Sequence, residues 1–173
     1  MILIALGSSM PFCGVPPQGV IDKALAASGR FLRLRTVSRL YRSPAWPDPS
    51  DPPFINAVAL VETDLSPAAL LAAFHTVEAG FGRRRERKNA PRTLDIDLID
   101  YEGVIRTADD GSGPILPHPR AARRDFVLAP LAEIAPDWRH PVSGESAAAL
   151  LARLPSHEAI ALETERGSCF AAQ

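Results

Sequence analysis

The sequence contains few cysteines, few aromatic residues and no long apolar run. Cys13 and Cys169 are its only cysteines, and neither lies in a CxxC or metal-ligand spacing. The apolar run over residues 2 to 6 is too short for a signal peptide or a membrane span. We therefore expect a reduced, cytoplasmic protein with no membrane partner.

Neither sign of charge is in large excess. The formal net charge is -1, from 19 Lys and Arg residues against 20 Asp and Glu residues. Bulk charge therefore indicates no nucleic-acid partner, and any such affinity would need a local patch. The sequence also lacks the GxxxxGK(S/T) motif and the protein-kinase motifs. A phosphate site in this protein must be built from other groups.

The length and composition indicate one globular domain over residues 1–173. Hydrophobic residues make up 46% and charged residues 23% of the 173 residues, which is far from the composition of disordered chains. A chain of this length can bury a sizeable core.

Hydrophobic periodicity predicts six elements in the order βαββαβ. The predicted strands cover residues 2–6, 33–41, 54–62 and 94–101, and the predicted helices cover residues 17–28 and 66–82. This order is typical of a ferredoxin-like α+β sandwich, in which both helices lie on one face of an antiparallel sheet. After Pro117 the sequence predicts loops and short helices as extra C-terminal elements.

Two carboxylates are predicted to share one face of the last strand. Asp95 and Asp97 alternate with Leu94, Ile96 and Leu98, so their side chains should lie about 6 to 7 Å apart. Hard oxygen ligands on a rigid element suit Mg²⁺. The pair alone also fits a polar, solvated strand face.

A basic segment stands immediately before this pair. Residues 83–92 contain six basic residues against one acidic residue, Glu86, for a net charge of +5. The basic residues are Arg83, Arg84, Arg85, Arg87, Lys88 and Arg92. Arginines beside a metal-binding pair are what a polyphosphate requires, although a basic run alone is more often a solvated surface.

Other residues could bind a planar ligand or phosphate. Asn56 begins a strand that is otherwise apolar, and its amide could pair with the edge of a heterocycle. The aromatic candidates to flank such a ring are Trp46, Phe54 and Phe126, which could equally pack in the core. His118 lies in a stiff Pro-His-Pro loop before Arg124 and could reach phosphate. Together these features indicate a Mg²⁺-dependent enzyme that moves phosphate from ATP to a flat heterocycle.

Several short strings resemble the 6-hydroxymethyl-7,8-dihydropterin pyrophosphokinases of the folate pathway. The most specific string is Pro-Arg-Thr-Leu-Asp-Ile-Asp over residues 91–97. Further matching strings are Leu6-Gly7-Ser8, Tyr41-Arg42-Ser43-Pro44, Phe54-Ile55-Asn56-Ala57 and Leu116-Pro117-His118-Pro119. The resemblance covers residues 2–138 and leaves residues 139–173 uninformative.

The resemblance implies a ferredoxin-like fold and a specific reaction. Asp95 and Asp97 would hold two Mg²⁺ ions, and the β,γ-diphosphate of ATP would pass to 6-hydroxymethyl-7,8-dihydropterin with release of AMP. The implied catalytic residues are Arg83 and Arg92. The implied ATP-binding residues are Glu78, Arg85, Lys88, His118 and Arg124. The implied pterin-binding residues are Gly7, Ser43, Pro44, Trp46, Phe54, Asn56 and Phe126.

Two other functional classes share part of this pattern. An RNA-recognition domain has a similar sheet, but its basic and aromatic signature is absent from this sequence. A nucleotidyltransferase or an Asp-x-Asp glycosyltransferase would share the metal pair. Neither of these enzymes explains Asn56, the flanking aromatic residues and the Pro-His loop together. The sequence leaves the oligomeric state open.

Overall fold

The structure is a computed structural model that describes residues 1–83, 91–107 and 113–163. Its strands are β1 (Ile2–Ser8), β2 (Arg33–Val37), β3 (Tyr41–Ser43), β4 (Phe54–Glu62), β5 (Asp95–Tyr101) and β6 (Ile160–Ala161). Its α-helices are α1 (Pro17–Ser28), α2 (Pro67–Gly80), α3 (Asp125–Ile134) and α4 (Ala147–Ala152). A 3-10 turn at Ala121–Arg123 precedes α3.

The strands form one antiparallel sheet with β1 near its centre. The strand order is β5-β1-β4-β3-β6, and β2 also pairs with β4. All the pairs are antiparallel. This arrangement confirms the ferredoxin-like α+β fold, to which the C-terminal part adds strand β6 and a helical layer.

The prediction of one strand over residues 33–41 is wrong, because β2 and β3 are separated at residues 38–40. Ser38 is fully buried, and its hydroxyl oxygen accepts a hydrogen bond from the Val58 amide at 3.1 Å. The Arg39 amide leaves the sheet and donates to the Glu133 carboxylate at 3.0 Å. The Ser38 amide still donates to the Val58 carbonyl at 2.9 Å, so a side-chain acceptor replaces strand pairing of the amide only at Arg39.

Helices α1 and α2 cover one face of the sheet, as predicted. Helix α2 begins as expected, since the Ser66 hydroxyl accepts from the Ala69 amide and Pro67 occupies the first turn. The core under these helices contains alternate residues of the central strands together with helix side chains. It includes Ile4, Leu6, Val20, Ile21, Leu70, Phe74, Ile96 and Leu98. The strand period of two therefore places Leu94, Ile96 and Leu98 in this core.

Helices α3 and α4 cover the opposite face. Leu3, Val58 and Ile99 pack there against helix side chains such as Leu128 and Leu131. The indole N–H of Trp138 donates to the buried Asp100 carboxylate at 2.7 Å, which ties the C-terminal layer to β5. No helix in the described residues is long and apolar enough to cross a membrane.

Candidate active site

Three neighbouring strands bring the candidate residues side by side. In the sheet register, Gly7 of β1 lies between Asn56 of β4 and Asp95 of β5. By the alternation along the strands, Asn56 and Asp95 share the face that carries Leu3 and Val58. The site therefore lies on the α3 side of the sheet.

A cavity of about 350 Å³ opens at this place. All seven residues predicted for the planar ligand line it, namely Gly7, Ser43, Pro44, Trp46, Phe54, Asn56 and Phe126. Arg92, Asp95, Asp97 and Arg124 line the same cavity. The candidate heterocycle site and the candidate phosphate site are thus parts of one cavity. The contacts of each residue with a ligand stay predictions.

Asn56 is held in place inside this cavity. It is only 5% exposed, and its amide nitrogen donates to the Ser43 hydroxyl at 2.9 Å. A Cβ atom on Gly7 would lie 3.3 Å from the Asn56 Oδ1 atom and 3.7 Å from Phe54. Glycine at position 7 therefore leaves room beside the amide and the ring.

Asp95 contacts two arginines, one from each end of the basic segment. Its Oδ1 atom lies 2.8 Å from Nη2 of Arg83, and its Oδ2 atom lies 3.2 Å from Nη1 of Arg92. Arg92 is itself anchored, because its amide donates to the Ser9 hydroxyl at 3.0 Å and its carbonyl accepts from the Ser9 amide at 3.0 Å. The two predicted catalytic arginines therefore converge on one carboxylate.

Asp97 faces the groups that follow the Pro-His loop. Its Oδ2 atom lies 3.5 Å from Nη1 of Arg124 and 3.8 Å from Nε2 of His118. The Nδ1 atom of His118 accepts from the Arg120 amide at 3.2 Å, so Nε2 is the nitrogen directed at Asp97. The Arg124 guanidinium also lies over the Phe126 ring, 5.4 Å from its centroid.

Burial dominates the electrostatics of this second group. It raises the pKa of Asp97, and the negative charge of Asp95 raises that pKa further. Burial also lowers the pKa of His118 and the pKa of Arg124. A cation placed between the two carboxylates would relieve their repulsion.

Comparison with known proteins identifies the family. The family model described as 7,8-dihydro-6-hydroxymethylpterin-pyrophosphokinase (HPPK) matches residues 3–136. The chain belongs to the HPPK family. It is therefore an enzyme, a transferase of the pyrophosphokinase class.

Individual HPPK relatives agree with this assignment. The chain is 38% identical over 151 residues to the 2-amino-4-hydroxy-6-hydroxymethyldihydropteridine pyrophosphokinase of Methylorubrum extorquens, with 87% of this chain and 91% of the relative covered. It is 42% identical over 129 residues to the protein of the same name from Synechocystis, with 75% of this chain and 63% of the relative covered.

Solved structures share the fold at low sequence identity. The Plasmodium falciparum HPPK-DHPS wild-type structure superposes with a TM-score of 0.66 at 12% identity, covering 87% of this chain. The chain spans 40% of that protein. At this identity the likeness supports the HPPK fold and nothing finer.

Glu78 lies apart from the cavity. Its side chain is 2% exposed, and its Oε1 atom accepts from the Ile96 amide at 2.7 Å. The same carboxylate pairs with Arg83, and burial raises its pKa. Glu78 thus ties the start of the basic segment to the strand that carries Asp95. Its contact with ATP stays a prediction.

Two other predicted ATP-binding residues, Arg85 and Lys88, belong to residues 84–90, which lie outside the described residues. Sequence reasoning missed Asp125 and Glu158, which also line the cavity. The position of Asp125 between Arg124 and Phe126 was an available signal. No pattern in the sequence marked Glu158, because the residues after 138 match no motif.

Proposed function

We propose that this enzyme transfers the β,γ-diphosphate of ATP to 6-hydroxymethyl-7,8-dihydropterin, giving AMP and the pterin diphosphate. The observation that carries the proposal is the single cavity that joins Asn56 and two aromatic rings to the Asp95 and Asp97 pair with its arginines. A flat acceptor and a polyphosphate donor could therefore lie in contact within it. The HPPK family assignment supports the same pairing of substrates.

The acceptor end is suited to a flat, hydrogen-bonding heterocycle. Phe54 and Phe126 would stack on the two faces of the pterin, and Asn56 would pair with its edge. One hydrogen of the Asn56 amide is engaged by Ser43, which fixes the orientation of the amide before the ligand binds.

The donor end fits Mg²⁺. The carboxylates of Asp95 and Asp97 are hard oxygen ligands. Burial raises the pKa of Asp97, and the charge of Asp95 raises it further, so a divalent cation bound there would favour the ionised form. Within the described residues, no group of three or more His, Cys, Asp or Glu side chains is placed to hold a metal. This suits Mg²⁺, which takes one or two carboxylates and completes its shell with phosphate oxygens and water. We propose two Mg²⁺ ions, which would neutralise the phosphate oxygens.

The chain itself orients the reactants and stabilises the transferred group. Arg83, Arg92 and Arg124 stand beside the carboxylates and would donate to phosphate oxygens. His118, which lies near the same Asp97 oxygen as Arg124, would contribute beside it. The pterin hydroxyl oxygen forms the new bond to the β-phosphorus, and the bond from that phosphorus to the oxygen bridging it to the α-phosphorus breaks. AMP leaves with the bridging oxygen, and the hydroxyl proton is released.

Product analysis tests the proposal. The protein is incubated with ATP, Mg²⁺ and 6-hydroxymethyl-7,8-dihydropterin, and the products are separated, identified and quantified by mass spectrometry. We expect AMP and the pterin diphosphate in equal amounts, with no turnover when a chelator removes Mg²⁺. Stoichiometric ADP, or ATP consumption that is independent of the pterin, would refute the proposal. Free diphosphate with an adenylylated acceptor would instead indicate a nucleotidyltransferase.

A further inference from the structure

The chain beyond the family match returns to the active site. The HPPK match ends at residue 136, yet residues 158–162, here called the C-terminal strap, pair with the outer edge of β3. Ala161 pairs with Tyr41, and the Leu162 amide donates to the Leu40 carbonyl at 2.8 Å. Strand β3 leads directly into the cavity wall at Ser43 and Pro44.

One carboxylate fastens this strap to the opposite wall. The Oδ2 atom of Asp125 accepts from the amides of Glu158 and Ala159 at 2.6 and 2.8 Å. Its Oδ1 atom accepts from the Phe126 amide at 2.7 Å. Asp125 is the first residue of α3 and immediately precedes the proposed stacking residue Phe126. These three hydrogen bonds of the Asp125 carboxylate, here called the clamp, therefore connect Phe126 to the strap, and the strap pairs with β3.

The clamp belongs to the cavity as well as to the fold. Asp125 and Glu158 both line the cavity that contains Phe54, Asn56 and Phe126. One wall comes from β3 and the residues after it, the other comes from the start of α3, and the strap spans the two. Walls that are held at a fixed separation before a planar ligand arrives lower the ordering cost of binding it.

We propose that Asp125 is a positioning residue for the acceptor, acting through the C-terminal strap to set the width of the heterocycle pocket. This inference rests on the proposed function for the identity of the acceptor. The Asp125 carboxylate accepts hydrogen bonds from the amides of Phe126, Glu158 and Ala159, whereas the Asp95 and Asp97 carboxylates are contacted by other residues. Loss of the clamp should therefore weaken acceptor binding and leave ATP binding unchanged.

The experiment compares Asp125→Asn with Glu145→Gln, an equal change of charge in the same C-terminal layer. Glu145 pairs with Arg153 outside the cavity. In Asp125→Asn the KM for the pterin should rise about tenfold, because charged hydrogen bonds to two strap amides are weakened. The KM for ATP should stay within about twofold in both variants. Hydrogen exchange of the strap amides should accelerate only in Asp125→Asn.

The outcomes separate this inference from the proposed function. If the wild-type protein shows no pterin-dependent AMP release, the proposed function fails, whatever the variant does. If the wild type is active and Asp125→Asn has faster strap exchange but an unchanged pterin KM, the positioning role is refuted. An equal rise in both KM values would also refute it. Should Asp125→Asn fail to fold, Ala159→Pro removes one strap donor and must give the same selective rise.

Discussion

The two faces of the central sheet are built from alternate residues of the same strands, but they differ at the end of the sheet that carries Gly7, Asn56 and Asp95. On the α1 and α2 side, buried apolar residues extend along the strands as far as Leu6 and Ile96. On the α3 and α4 side, the buried apolar packing reaches Val58. The next positions on this face toward the cavity are Gly7, Asn56 and Asp95, which lie side by side on three strands. One face is thus closed by its helices, whereas the other opens into the cavity.

Alternate residues of one strand therefore have different roles: those on the closed face contribute to stability, and those on the open face contribute to the active site. The closed face gains free energy from apolar burial and contains the buried cluster around Phe74. The open face carries two neighbouring carboxylates, and burial together with the charge of Asp95 raises the pKa of Asp97, which disfavours the ionised form of Asp97. Changes on the two faces should therefore have opposite consequences for stability and for catalysis.

The largest effect is expected from the carboxylates of the open face. In Asp95→Ala or Asp97→Ala, turnover should fall by about 10³-fold or more, because charge stabilisation by the metal is lost. The free energy of unfolding should change by less than about 1 kcal/mol, since repulsion between the carboxylates is removed along with partly exposed ion pairs. Steady-state kinetics and urea denaturation measure the two quantities.

Asp100→Asn is the matched control on the same strand. Asp100 is 3% exposed and accepts hydrogen bonds from Trp138 and Gly103, so this change should lower stability while the folded enzyme keeps its turnover. Near-normal turnover of either Asp95→Ala or Asp97→Ala would contradict a metal-ligand role for that residue. Unfolding as severe as that of a core variant would do the same.

A core change on the closed face should have the reverse effect. Phe74 is fully buried between the helices and the sheet, so Phe74→Ala should lower the free energy of unfolding by about 3 to 5 kcal/mol through loss of contacts and a new cavity. The fraction that remains folded should keep the wild-type KM for both substrates. A selective change in one KM would show that the faces are not independent.

A polar change at the boundary between the cavity and the core should be selective for one substrate. Asn56→Ala should weaken pterin binding by about 1 to 3 kcal/mol, because donors and acceptors of the heterocycle lose their partner. The KM for ATP should change little. Gln18→Ala, which shortens an exposed amide side chain on α1, is the control. Unchanged pterin affinity in Asn56→Ala would remove Asn56 from the acceptor site.

The sequence predicted features whose causes are local. The alternation over residues 94–98 correctly placed Leu94, Ile96 and Leu98 in the core and the two aspartates on the other face, because strand geometry alone decides it. The start of α2 was predicted because Ser66 and Pro67 act within one turn.

Features that depend on distant partners were not predicted. The break between β2 and β3 involves Glu133, which lies 94 residues from Arg39 in the sequence. The buried position of Glu78 depends on its bonds to Ile96 and Arg83. The strap contains only a two-residue strand, too short for a periodic pattern, and its attachment depends on Asp125.

The smallest predicted effect concerns the attachment of α3 to the sheet edge at β3. The Glu133 carboxylate accepts from the Arg39 amide at 3.0 Å, from the Arg39 Nε atom at 3.2 Å and from the Tyr41 hydroxyl at 2.7 Å. Burial alone would raise the pKa of Glu133, but these hydrogen bonds outweigh burial and hold its pKa below the ordinary value of 4.5. The ionised form is therefore favoured by folding.

The sign of the pH effect follows from this lowered pKa. Below about pH 4.5 the unfolded chain binds a proton at Glu133 before the folded protein does, so stability falls as the pH falls through the folded pKa. Glu133→Gln should lower the free energy of unfolding by about 1 kcal/mol at pH 7, because a charged acceptor is lost. Urea denaturation should show the gap from wild type closing as the pH falls below about 4.5 and through the folded pKa of Glu133. A gap that widens on acidification would mean that folding raises the pKa of Glu133 and that its hydrogen bonds do not outweigh burial.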